Sequence, residues 1–244
     1  MPVSIRTSGH VLTAAIQRPD AMNAINFDVM NGLEEALEMA EQDESLRLFM
    51  LTGSGNSFIA GGDLKEFHGI RDAEGARKMS ERMLAILERI EQLECWTLAA
   101  VNGPAYGGGW ETLISFDFAV ARESASFGFT QGKFYLPPGW GGLTRLNRIV
   151  GKKTADYWLA SQKIISAEEA LRAGLIQDVF PDDEYDGKLE KLMQKLVLND
   201  RTFIDYMKKN HRKKITEELE PFSRFWESEE HIRRVEEFLR RGKK

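Results

Sequence analysis

The sequence predicts an α/β fold: a core of strands alternating with helices, followed by a helical C-terminal region. Two observations carry this. Short apolar runs recur between stretches of helical periodicity, and the pattern changes after Pro181-Asp182-Asp183, where strand signals stop. The opening Met1-Pro2-Val3-Ser4-Ile5-Arg6 alternates as a strand does. His10 to Ile16, Arg47 to Thr52, Thr97 to Val101, Phe118 to Ala121 and Ile176 to Phe180 read as further strands, several apolar enough to be buried on both faces. Helices are expected from near Phe27, Trp110, Lys152 and Ser166. The clearest has Met79, Met83, Ile86, Leu87, Ile90 and Leu93 on one face. Ser166-Ala167-Glu168-Glu169 reads as a capping box and Gly174 as a helix stop. Two regions follow: a core over residues 1–184, and over 185–244 a helical tail whose Phe203, Tyr206, Phe222, Phe225, Trp226 and Phe238 need a surface to pack on.

Composition narrows the function classes. The 244 residues, 42% hydrophobic and 29% charged, are long enough for a sizeable core. A net charge of -5 argues against nucleic acid as the main partner. The single cysteine, Cys95, excludes an intrachain disulfide framework, and neither it nor the four histidines has zinc-ligand spacing, so no metal is expected. The N-terminus lacks the features of a signal peptide or presequence, and no apolar run approaches the roughly 18 to 20 residues of a membrane helix. The expected location is the cytoplasm.

Two glycine loops carry the chemistry. Asn102-Gly103-Pro104-Ala105-Tyr106-Gly107-Gly108-Gly109-Trp110-Glu111 places glycines between an apolar strand and a helix, with a carboxylate near the helix start. Amides there have no intrahelical acceptor and suit negative charge on a substrate oxygen. Thr52 to Lys65, containing Ala60-Gly61-Gly62-Asp63-Leu64, has the same strand-to-helix setting. If the amides of Gly62 and Gly108 converge, they form a donor pair for an oxyanion. Each cluster also has a plainer reading as a turn that needs positive φ, and Glu111 as a first-turn carboxylate favoured by the helix dipole. The phosphate-loop pattern, the G-x-G-x-x-G pattern and the G-x-S-x-G elbow are all absent from the sequence.

Taken together, these motifs resemble the crotonase, or enoyl-CoA hydratase/isomerase, superfamily, whose members stabilise thioester enolates of acyl-coenzyme A. The resemblance runs from Gln17-Arg18-Pro19-Asp20-Ala21-Met22-Asn23-Ala24 through Ser57 to Lys65, and is strongest over Ala99 to Glu111. It continues through Phe127-Gly128, Pro138-Gly139-Trp140-Gly141-Gly142 and Ile165 to Ala170 as far as Gly174-Leu175-Ile176, with Ser228 to Phe238 resembling the closing helix. It implies a spiral of ββα units and a helical region that builds trimers or dimers of trimers. It also implies an acyl-CoA thioester as substrate, with coenzyme A entering only as part of that substrate. The thioester oxygen would lie between the amides of Gly62 and Gly108. Coenzyme A would pass Ala60 to Leu64, including Asp63, with Ala21 and Met22 near its adenine and pantetheine end; Asp20 stands where many relatives carry a basic residue.

Hydratases of this family use two glutamates. Glu111 matches the first; Gln131 stands at the second, and an amide can hydrogen-bond but cannot exchange a proton at neutral pH. The resemblance therefore implies an enzyme with Glu111 as the acid/base, suited to double-bond isomerisation or slow hydration. Malonyl-type decarboxylation, or a weakly active protein that binds CoA or RNA, is the alternative. For the basic run Met207 to Lys214, a solvated helix face or a site for acidic groups at a subunit boundary is favoured over RNA contact. Trp140, with Phe134 and Tyr135 nearby, is a candidate limit on acyl length, its plainer reading being an aromatic packed under a turn. Tyr106 and Trp110 share that ambiguity, while His68 and His231 read as surface residues.

Overall fold

The computed structural model describes residues 2–209, 224 and 229–233. Its centre is a six-stranded sheet in the order β1-β2-β3-β4-β6-β9. These strands are β1 (Val3–Ser8), β2 (Val11–Ile16), β3 (Leu48–Gly53), β4 (Trp96–Val101), β6 (Phe118–Arg122) and β9 (Asp178–Phe180). β1 pairs antiparallel with β2, and every later pair is parallel. A smaller sheet joins β5 (Ala105–Tyr106), β7 (Ser126–Gly128) and β8 (Ile164–Ser166).

The central strands are apolar on both faces because helices cover both. Side chains alternate along each strand. Phe49, Leu51, Ala99, Val101, Ala119 and Ala121 enter one core with α1 (Phe27–Gln42) and α3 (Ala73–Gln92). Leu48, Met50, Leu98, Ala100 and Val120 enter another with Tyr185 and Leu189 of α8 (Tyr185–Leu196). The first compact unit thus runs past the boundary expected at residue 184 and ends at Ile204.

Helix ends follow their sequence signals. Asn26 and Asp72 accept hydrogen bonds from Val29 and Gly75 at the starts of α1 and α3. Ser166 caps α7 (Ala167–Arg172) by accepting from the Glu169 amide, and Gly174, at φ 76°, ends that turn. The last strand begins two residues later than expected: Ile176 is buried in the core, and Gln177 turns its amide oxygen to the Ala119 N–H at 2.7 Å. The remaining helices are α2 (Leu64–Phe67), α4 (Gly108–Leu113), α5 (Gly142–Val150), α6 (Lys152–Ala160) and α9 (Arg201–Lys209). Among the described residues no helix is long and apolar enough to cross a membrane, and no cluster of potential metal ligands occurs. Of the tail features, Phe222, Phe225, Trp226, Phe238 and residues 210–214 of the basic run lie outside the described residues; of the closing segment, 229–233 are helical.

Candidate active site

The two glycine loops leave the C-terminal ends of adjacent parallel strands, β3 and β4, where α/β sheets place their ligands. Two asparagines fix these loops: Asn102 ties one to the other, and Asn23 ties the loop after β3 to the Arg18 segment. Asn102 accepts from the Gly53 N–H at 3.2 Å and donates to the Gly55 carbonyl at 2.9 Å. Asn23, fully buried, donates to the carbonyls of Ser54 and Ser57 at 2.9 and 2.7 Å and accepts from the Arg18 N–H.

Backbone bonds then bring the loops into register. Ile59 bridges Ala105, and the Tyr106 N–H donates to the Ile59 carbonyl. Ile25 binds the Gly61 carbonyl and the Asp63 N–H, the two neighbours of Gly62. In such a parallel bridge the amide of the middle residue, Gly62, faces away from Ile25. Gly108 opens α4, so its N–H has no acceptor within the helix. The two segments touch: a β-carbon on Gly61 would fall 3.2 Å from the Gly108 nitrogen.

Trp140 roofs both glycines. Its indole is only 5% exposed and lies so close to Gly108 that a β-carbon there would fall 2.6 Å from Cη2 and 2.8 Å from Cε3. The same ring is 3.6 Å from where a β-carbon of Gly62 would stand, next to Phe67. Its supposed companions are not beside it in the core. Tyr135 is 98% exposed in a left-handed conformation and Phe134 is 56% exposed, so neither shares the buried packing of Trp140. The turn Gln131–Phe134 ends at Tyr135 and carries both side chains outward.

Glu111 is 2% exposed, and all four hydrogen bonds to its carboxylate come from neutral donors. Oε2 accepts from the Trp140 and Gly142 amides at 2.8 and 3.0 Å; Oε1 accepts from Gln131 Nε2 at 3.1 Å and the Gly139 amide at 3.3 Å. Burial pushes the carboxyl above the ordinary value of 4.5, against the pull of those donors. Gln131 is oriented by its other end. Its Oε1 accepts from Trp110 Nε1 at 3.2 Å, and because an indole N–H only donates, the amide NH₂ must face Glu111. Trp110 is a buried core side chain packed against Phe129 with the rings tilted by 38°, and Tyr106 bonds Ser126 through its hydroxyl at 2.9 Å.

This whole arrangement coincides with a family match. The chain fits the sequence model described as enoyl-CoA hydratase/isomerase over residues 6–231. It belongs to the enoyl-CoA hydratase/isomerase family. It is an enzyme of that type, and its fold is that of the crotonase superfamily. A short-chain-enoyl-CoA hydratase of Clostridium acetobutylicum is 35% identical over 81% of this chain and 76% of its own. A crotonyl-CoA hydratase of Syntrophomonas wolfei is 35% identical over 75% of this chain and 70% of its own. The crystal structure of an enoyl-CoA hydratase from Mycobacterium smegmatis superposes with a TM-score of 0.90 at 26% identity, over 99% of this chain and 97% of its own.

The residues expected from the sequence to lie near coenzyme A are neighbours in the fold. The Ala60 N–H donates to the Met22 carbonyl at 3.0 Å, which sets Ala21 and Met22 beside the second glycine loop; Met22 and Leu64 are exposed. Asp63 is already engaged. It pairs with Arg18 at 2.7 Å and caps α2 through the Lys65 and Glu66 amides, and the Arg18 bond holds its carboxyl below the usual value. Arg18, Asn23 and Asn102 were not singled out from the sequence as site-building residues. Only for Asn102 was a positional signal available: a polar residue directly after an apolar strand.

Proposed function

We propose that this enzyme acts on short enoyl-CoA thioesters by one-carboxylate chemistry, above all double-bond isomerisation. In this reading the thioester oxygen rests on the amides of Gly62 and Gly108, which stabilise the enolate as charge develops. Glu111 removes a proton from C2 of a 3-enoyl thioester, and the electron pair moves into the enolate. The same carboxyl then returns the proton at C4, giving the 2-enoyl thioester with atoms and charge unchanged. Ala21, Met22, Ala60, Asp63 and Leu64 form the rim along which coenzyme A lies, with Asp63 acting through its hold on Arg18 and α2.

The observation that carries this reading is the neutral Gln131 against Glu111. One group at the centre exchanges protons, and a proton taken and returned by one group needs no second. Hydration, which divides acid and base work, should be slow. Trp140, packed over Gly108, limits the acyl group to a short chain. The test is a panel of short and long 2-enoyl-, 3-enoyl- and methylmalonyl-CoA thioesters offered to purified, folded protein. Rapid isomerisation of short 3-enoyl thioesters supports the proposal. Preferred turnover of the methylmalonyl thioester, or none on any substrate, sinks it.

A further inference from the structure

The three backbone amides on Glu111 belong to one short segment, Gly139 to Gly142, and that segment is tied down from behind. Arg145, on the first turn of α5, has a side chain only 11% exposed. Its guanidinium forks onto Glu91 of α3, with Nε to Oε1 at 2.6 Å and Nη2 to Oε2 at 3.0 Å. The remaining nitrogen, Nη1, donates to the Trp140 carbonyl at 3.0 Å. Between them Gly141 adopts φ 82°, and a β-carbon there would collide with Nη1. Glycine at 141 therefore leaves the path by which the guanidinium reaches back.

We propose that Arg145, fixed by Glu91, is a positioning residue that sets which way the Glu111 carboxylate faces and how firmly its anionic form is held. The proposal rests on the role given to Glu111 above. One side of the Trp140 residue is gripped by Arg145 through its carbonyl, while its N–H and that of Gly142 bind Glu111 Oε2. A fork holding two carboxylate oxygens and a carbonyl needs the planar guanidinium, because an ammonium cannot present three donors in that plane. The carboxylate's own partners, Gln131, Gly139, Trp140 and Gly142, are all neutral, and the charged partner of the guanidinium is Glu91. The influence of Arg145 therefore passes through geometry. With the clamp released, fewer amides face the buried carboxylate, and its protonated form gains.

The experiment compares Arg145→Met and Glu91→Gln with the wild type. Infrared difference titration follows the Glu111 carboxyl, assigned by the loss of its band in Glu111→Gln, and needs no substrate. Steady-state kinetics on a short 3-enoyl thioester run beside it. Arg145→Met should move the Glu111 titration to higher pH and lower kcat by roughly 10- to 100-fold, with KM changed far less. Glu91→Gln should do the same to a smaller degree, and it carries the test if Arg145→Met does not fold. Folded variants whose Glu111 titrates as in the wild type overturn the proposal, even if activity falls. A shifted titration in a protein that turns over no thioester supports the clamp and removes the assigned reaction instead.

Discussion

Replacing Gln131 by glutamate puts a second carboxylate against Glu111 and should open a route to efficient hydration. Trp110 Nε1, now bound to the Gln131 oxygen at 3.2 Å, would hold one oxygen of the new side chain. The other oxygen inherits the place of Nε2, 3.1 Å from Glu111 Oε1. Two unit charges at that separation repel by about 5 kcal/mol at an effective dielectric constant of about 20, or nearly four factors of ten in proton affinity. The pair would therefore keep one proton at neutral pH, leaving one carboxylate as base and one carboxylic acid as acid. That division of labour is worth about 10² to 10⁴ in rate. Initial rates of water addition to a short 2-enoyl thioester, measured across pH beside isomerisation of the 3-enoyl isomer, check it. Hydration should gain, isomerisation should not, and the pH profile should acquire a second ionisation. If a folded Gln131→Glu variant that still isomerises shows no gain in hydration, the reasoning about acid and base fails.

Three further outcomes follow from the same geometry. Burial raises the Glu111 carboxyl above 4.5, so the folded state binds that proton more tightly than the unfolded chain, and stability falls as pH rises from about 4.5 through the folded-state titration. The stability of the wild type minus that of Glu111→Gln, from urea unfolding, should therefore decline over that window and then level off; a flat or rising difference contradicts the assignment. Gly108→Ala places a methyl group 2.6 Å from Trp140 Cη2 and should lower activity by about 10² or more as the amide shifts. Trp140→Ala, which vacates the same volume, should cost about 3–5 kcal/mol alone, yet the double variant should be more stable than the sum of the two predicts. Strict additivity in the double-mutant cycle would show that the indole does not press on Gly108.

The central sheet and its covering helices were legible in the sequence because their signals are local. Apolar runs such as Arg47 to Thr52 and the stripe Met83, Ile86, Leu87 and Ile90 state their own burial, and both occupy the cores they predict. The strands β5, β7 and β8 were not legible. They are two or three residues long, and Ala105↔Phe127 and Ser126↔Ser166 pair across distances no local window spans. The candidate site divides the same way. Glu111 and the glycines were visible as a motif, and Gln131 through the family pattern. The placing of Tyr135 outside and Trp140 inside, five residues apart along one loop, depends on the left-handed turn at Tyr135, which no side-chain periodicity announces. Arg145 was invisible for a related reason: its meaning lies in the Trp140 carbonyl, a backbone atom with no residue type of its own.

The two oxygens of Glu111 are held unequally, and this decides where a proton can move. An ionised carboxylate offers about four lone-pair sites, and here four donors fill them, so a substrate proton arrives only where a donor gives way. Oε2 is gripped by amides at 2.8 and 3.0 Å from the segment that Arg145 clamps. Oε1 holds its donors at 3.1 and 3.3 Å, one of them the side chain of Gln131, which can yield by rotation as a backbone amide cannot. Under the proposed function, Oε1 is therefore the oxygen that takes the proton and Oε2 the one that anchors the group. Gln131 then has a role that glutamate could not fill unprotonated: it stabilises the anion at rest by donating to Oε1, and it must leave that oxygen for the carboxylate to act as a base. The same geometry places the new carboxylate of Gln131→Glu at Oε1, so that variant alters the oxygen on which the proton transfer depends and leaves the anchoring oxygen untouched.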